Sequence, residues 1–230
     1  RVVPAQGAAV VTKETTIVVK EDDLVTKSIE KGGESVVAIF ERGINPADSS
    51  PMVIFVGWGT VLSPSGIIAT DSGIISGSGN YFIRAPDSKS FEIKILNQDE
   101  EIGIALMQAV MTDPKYSFTP SILGDADKLR LGQSVIIFGG KERQAVSVGI
   151  VAALTPFERK IDGTTTTESF IGYIDSSAPP PSGSRGAPIS NIFGEIIGIS
   201  VGENDTRFVS ENFLSEKILI LDKSEEKEIP

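Results

Sequence analysis

Short apolar runs rich in β-branched residues, separated by glycine, proline and serine, dominate the chain from residue 35 onward. SVVAIF (Ser35–Phe40), MVIFVGWGTVLS (Met52–Ser63) and GIIAT (Gly66–Thr70) open the series, with the turn signal SPSG between the last two. YFIRA, SFEIKIL and IGIALMQAV carry it to Val110. Runs of this length, bounded by such breakers, predict strands rather than helices. MTDPKYSFTPS (Met111–Ser121) is a polar, proline-bearing connector. A second series follows: SVIIFG, AVSVGIVAAL, SFIGYID, GAPIS, EIIGISV and RFVS, ending at Ser210. The pattern predicts an all-β chain in two antiparallel halves, barrel-like or sandwich-like.

The ends of the chain differ. Residues 1–22 read as a tether or loosely docked arm, with an added edge strand through TTIVVK (Thr15–Lys20) as the alternative. Asp22 or Asp23 caps a short helix with Leu24, Val25, Ser28 and Ile29 on one face, and Gly32 and Gly33 end it. SENFLSEKILIL (Ser210–Leu221) is amphipathic, as a short helix or strand. The boundaries are therefore an arm over 1–22, a domain over 23–221 with halves of about 35–112 and 121–221, and a charged, disordered tail over 222–230. The start at Arg1 rather than methionine leads us to expect a missing upstream segment, such as a signal or a membrane anchor.

Composition narrows the chemistry. A net charge of −10 argues against a nucleic-acid partner. The chain has no cysteine, which removes thiolate nucleophiles and Cys-type zinc sites, and no histidine. Without an imidazole neither a Ser-His nor a Cys-His catalytic arrangement can be built. No cofactor or metal is expected. The cluster Asp99, Glu100 and Glu101 reads as solvated turn charge, and DADK (Asp125–Lys128) as an ordinary turn lacking the rest of a calcium loop. GSGN (Gly77–Asn80) reads as a hairpin turn, DGTTTTE (Asp162–Glu168) as a long exposed tip, and Trp58 as core.

Four stretches carry a family resemblance. GWGTVLSPSGIIATDSGII (Gly57–Ile75), DEEIGIALMQ (Asp99–Gln108), LGDADKLRLGQSVIIFGG (Leu123–Gly140) and APPPSGSRGAPISNIFGEIIGI (Ala178–Ile199) follow one another in order and spacing as in the trypsin-like serine proteases of the HtrA (Deg) type. The chain resembles that family from about Leu24 to Leu219. The resemblance implies a chymotrypsin-type fold, two six-stranded antiparallel β-barrels with a cleft between them, and a location outside the cytoplasm, in the periplasm or at the cell surface. The PDZ domains that often follow are not expected within this chain. The family's trimerising arm matches residues 1–22 in place, so a homo-oligomer is left open.

Carried over residue by residue, the family's triad falls on Gly73 (histidine), Gly103 (aspartate) and Arg185 (serine). None can do the family's chemistry: a guanidinium stays charged and is no base, and no hydroxyl stands at 185. Gly183 and Arg185 fall where backbone N–H groups form the oxyanion hole, with Ser184 between them. Two readings of Arg185 follow. Either it joins Gly183 and Ser184 in a site for a peptide or carboxylate, or it folds back onto an acid such as Asp71 and plugs the cleft. APPP (Ala178–Pro181), where the family has Ile-Asn-Pro, leaves open whether the oxyanion turn is kept. Three functions are thereby in play: an inactive protease fold that binds protein or peptide, a hydrolase using Ser182 or Ser184 with a lysine such as Lys141, and a purely structural module of an envelope protein.

Overall fold

A computed structural model describes residues 21–76, 79–140, 145–160, 166–202 and 205–225. Residues 1–20 of the predicted arm, with TTIVVK, residues 77–78 of the GSGN turn, Lys141, most of the DGTTTTE tip and the end of the tail lie outside the described residues. Helix α1 (Glu21–Gly33) precedes β1 (Val36–Ile44), β2 (Pro51–Val61), β3 (Ile67–Asp71), β4 (Asn80–Arg84), β5 (Ser90–Asp99) and β6 (Ile104–Ala109). These six close into one barrel in the cyclic order β1-β2-β3-β6-β5-β4. Strands β7 (Ser134–Gly139), β8 (Ala145–Lys160), β9 (Thr167–Ser176), β10 (Pro188–Asn191), β11 (Ile196–Ser200) and β12 (Arg207–Ser210) close a second one. Its order, β7-β8-β9-β12-β11-β10, repeats the wiring of the first, and every ladder is antiparallel. Helix α2 (Glu211–Glu225) follows.

The period-2 alternation of strands explains which residues go where. In the first barrel Val37, Ile39, Ile68, Ile83 and Met107 fill the interior; Val135, Ile137, Ile174, Ile189 and Phe208 fill the second. The alternate residues of β3 and β6, namely Ala69, Ile104 and Leu106, point the other way. They meet Ile199 and Val209 of the second barrel and Phe213 and Leu214 of α2 in a seam. Both faces of β3 and β6 are thus buried, and their sequences read as unbroken apolar runs rather than as alternations. The candidate site lies at the rim of this seam.

The structure refines three readings. Of the two alternatives for the amphipathic C-terminal stretch the helix is formed, since Phe213 and Leu214 both reach the seam, and it runs to Glu225, so the first residues of the charged tail are helical. Helix α1 begins at Glu21, inside the stretch read as an arm. The polar, proline-bearing connector is anchored. Phe118 is buried, and with Tyr116 and Phe91 it forms a three-ring cluster on the end of the first barrel, with centroids 4.7–5.0 Å apart. Its polar residues hid this anchoring.

Candidate functional site

Asp71 ends β3 and Ser72–Ile74 form a single 3-10 turn directly after it. The side chain of Asp71 caps this turn: Oδ1 accepts the amide of Gly73 at 2.8 Å. Its Oδ2 accepts the amide of Gly202 at 2.9 Å and Nε of Arg185 at 2.7 Å. Asp71 is 2 % exposed, so its charge needs these three donors. The Arg185 side chain is 30 % exposed, with its guanidinium turned inward. Of the two readings of Arg185, the geometry takes the inward one.

The positions assigned to the triad by resemblance are neighbours. A Cβ built on Gly73 would lie 2.2 Å from a terminal nitrogen of Arg185. The guanidinium therefore fills the space that any side chain at 73 would enter. Gly103 sits at the turn into β6 with φ +88°, and its carbonyl accepts the amide of Ser72 at 2.8 Å. Its own missing side chain would face Val201, 3.4 Å away. Gly73 and Arg185 are in contact; Gly103 reaches them through the backbone of Ser72.

The loop bearing Arg185 is pinned from both barrels. Trp58 donates its amide to the carbonyl of Arg185 at 2.8 Å, and its indole Nε1 to the carbonyls of Gly183 at 3.0 Å and Gly140 at 2.9 Å. From the second barrel, the carbonyl of Ser200 accepts the amide of Gly186 at 2.9 Å. Gly186 has φ +74°, and a Cβ there would lie 2.2 Å from the carbonyl oxygen of Trp58 and 2.3 Å from the Thr70 hydroxyl. Only glycine satisfies both the left-handed backbone and this approach. Gly183 also has φ +81°, and the amides of Gly183 and Arg185 have no acceptor among the described residues.

Ser184 does not face the cleft. Its hydroxyl is buried, donates to the carbonyl of Pro181, and points at Gly139. Ser182 is exposed. The acidic cluster is structural at Asp99, which pairs with Lys217 of α2 at 2.8 Å and accepts the amide of Ile102 at 3.0 Å. Burial pushes the Asp99 carboxyl up, but the Lys217 and Ile102 hydrogen bonds outweigh it and hold the group below the usual carboxylate range. Among the described residues no three carboxylates converge as they would around a metal ion. Two functional contacts escaped sequence reasoning. The Gly202 amide on Asp71 carries no side-chain signal at all. The indole of Trp58 is a hydrogen-bond hub, and a lone tryptophan beside glycines was the available sign of it.

The profile of the trypsin-like peptidase domain matches residues 57–199. The chain belongs to the trypsin-like peptidase family. Its relatives place it with the HtrA type. It is 30 % identical over 148 residues to a probable periplasmic serine protease do/HhoA-like of Haemophilus influenzae, covering 63 % of this chain and 30 % of that protein. It is 24 % identical over 199 residues to the mitochondrial serine protease HTRA2 of Bos taurus, covering 86 % of this chain and 42 % of that one. The chain thus spans less than half the length of these relatives. Among solved structures it resembles Deg5, with TM-score 0.66, 21 % identity, and 86 % and 94 % of the two chains covered. It also resembles the HtrA-type protease AlgW with decapeptide, with TM-score 0.70, 16 % identity, and 89 % and 68 % covered. Both likenesses concern the fold.

Proposed function

We propose that this HtrA-type domain does not hydrolyse peptides and serves as a protein- or peptide-binding module outside the cytoplasm. The observation that carries the reading is the guanidinium of Arg185, held 2.7 Å from Asp71 in the space a side chain at 73 would need. Acyl transfer needs a nucleophile, a base to take its proton and donors for the oxyanion. Here the amides of Gly183 and Arg185 have no acceptor among the described residues, but no base stands beside them: the chain lacks histidine, and a guanidinium is no base. The buried hydroxyl of Ser184, spent on a carbonyl, argues against its use as a substitute nucleophile. With the charge of Arg185 already met by Asp71, it is the amides of Gly183 and Arg185 that suit a ligand, a carbonyl that stays bound rather than reacts. The extracytoplasmic location rests on relatives named as periplasmic.

A peptide-library binding screen on the domain, run beside Arg185→Ala, tests the reading. Selective peptides whose binding is lost or redirected in the variant support it. Turnover of a labelled unfolded protein by the wild type, together with fluorophosphonate labelling lost on Ser182→Ala or Ser184→Ala, would replace it with a serine hydrolase. Neither binding nor turnover would leave a structural module.

A further inference from the structure

Behind the Trp58 side of the Arg185 loop, two cavities adjoin and share Trp58 and Pro86 as common walls. The first, about 340 Å³, lies between α1 and both barrels and is lined by Ile29, Val36, Phe138 and Val146. Glu30 of α1 and Glu34 of the turn after it stand at its rim, both exposed. The second, about 300 Å³, is walled by Ala38, Phe40, Ala85 and Arg84. Each is large enough to take a ligand side chain, and together they make a site of ordinary ligand-pocket size.

The charge at this site is asymmetric. Arg84 and Arg42 both lie over rings of the stacked pair Phe40–Phe82, at 4.7 and 4.4 Å from the ring centres. Arg42 is neutralised by a two-pronged bond to Glu92, at 2.9 and 2.7 Å. Arg84, in the same setting, makes no ion pair among the described residues. A guanidinium flattened on an aromatic ring keeps its fork of donors for a carboxylate supplied from outside. The acids at the rim of the first cavity favour a cation beyond it.

We propose that these cavities form a peptide site distinct from the triad cleft. It receives an extended protein segment whose aliphatic side chain fills the α1 cavity, whose neighbouring acidic residue meets Arg84, and whose basic residue on the other side faces Glu30 and Glu34. The site's shared wall, Trp58, also holds the carbonyls of Gly183 and Arg185, so an occupant abuts the residue that fixes the Arg185 loop. The inference does not depend on whether the domain hydrolyses peptides.

Trp58 is the chain's one tryptophan, so its emission reports on the site directly. The probes are blocked pentapeptides, acetyl-Gly-Lys-Leu-Asp-Gly-amide and its Leu-Asn counterpart, with Gly-Lys-Leu bearing a free carboxyl terminus as a third. The expected result is a saturable change in Trp58 emission with the Leu-Asp peptide. Binding weakens about tenfold or more with Leu-Asn or in Arg84→Gln, as loss of a charge-assisted bond requires. Val146→Phe, at the exposed mouth of the first cavity, blocks binding without touching Arg84. No saturable response in the wild type, unchanged binding in both Arg84→Gln and Val146→Phe, or a preference for the free carboxyl terminus would each overturn the proposal.

Discussion

If the Arg185 guanidinium occupies the space of a side chain at 73, then Gly73→Ala and Arg185→Ala must be two ways of breaking one interaction. Removing Arg185 strands the buried carboxylate of Asp71. Breaking a buried pair in this way typically costs about 3–5 kcal/mol. Two facts lower it here: the Arg185 side chain is 30 % exposed, and Asp71 keeps the amides of Gly73 and Gly202. We expect about 2 kcal/mol for Arg185→Ala, a fall in Tm of roughly 4–8 °C for a domain of this size. Gly73 has no left-handed backbone to lose, so the cost of a methyl group there is the cost of expelling the nitrogen 2.2 Å away. Relaxation of the flexible arginine caps it at the same value, about 2 kcal/mol. The double variant then costs about 2 kcal/mol rather than about 4, a coupling well above the scatter of independent sites. Denaturant unfolding, followed by Trp58 fluorescence and by far-UV circular dichroism to check that the transitions coincide, measures all four corners. Additive losses, or an Arg185→Ala cost below about 0.5 kcal/mol, would refute the placement of the guanidinium.

Two further outcomes follow from buried groups. Glu211, at the start of α2, is 2 % exposed; its Oε1 accepts the amide of Ala126 at 2.6 Å and its Oε2 has no partner among the described residues. Burial, with the charges of Asp125 and Asp127, pushes its carboxyl up from 4.5 to about 7. The folded state thus holds this proton more tightly than the unfolded chain does. Its contribution is full below about pH 4.5 and is lost as pH rises to about 7, by at most about 3 kcal/mol. Glu211→Gln should abolish that segment of the stability–pH profile, and an unchanged profile would count against it. Gly186→Ala forces a Cβ onto the Trp58 carbonyl at positive φ, so we expect a loss of about 3 kcal/mol or more, read as poor soluble yield or a much lower Tm.

How much of this was legible in the residues differs by layer. The strands of the two barrels could be marked from branched apolar runs and their breakers, because that pattern is what a pleated, half-buried surface selects. The closure into six-stranded barrels could not, since no local pattern distinguishes a strand buried on both faces from one buried on one. GIIAT and IGIALMQAV carry the seam, and the seam is visible only once Ile199, Phe213 and Leu214 are in place. Helix α2 was ambiguous for the same reason. At the site, residue type spoke for itself: a chain without histidine excludes the commonest base before any geometry is known. The partner of Arg185 is legible too: Asp71, two residues before position 73, is the acid the sequence offers, and its place at the end of β3 brings it to the guanidinium.

The pair itself suggests why the loop keeps its shape. Asp71 is fixed by the turn it caps, so its charge is buried whatever stands at 185, and two amides alone leave that charge without a counter-ion. Arg185 supplies one from the loop, and Trp58 and Ser200 hold that loop to both barrels through main-chain bonds that any side chain at 185 would permit. Backbone scaffold and side-chain chemistry are therefore separable here. The family resemblance puts a nucleophile at position 185, and a counter-ion can stand there without disturbing the turn. The requirement on Gly186 is steric and on Asp71 electrostatic, so substitutions at 185 should shift stability and ligand preference while those at 186 should remove the fold.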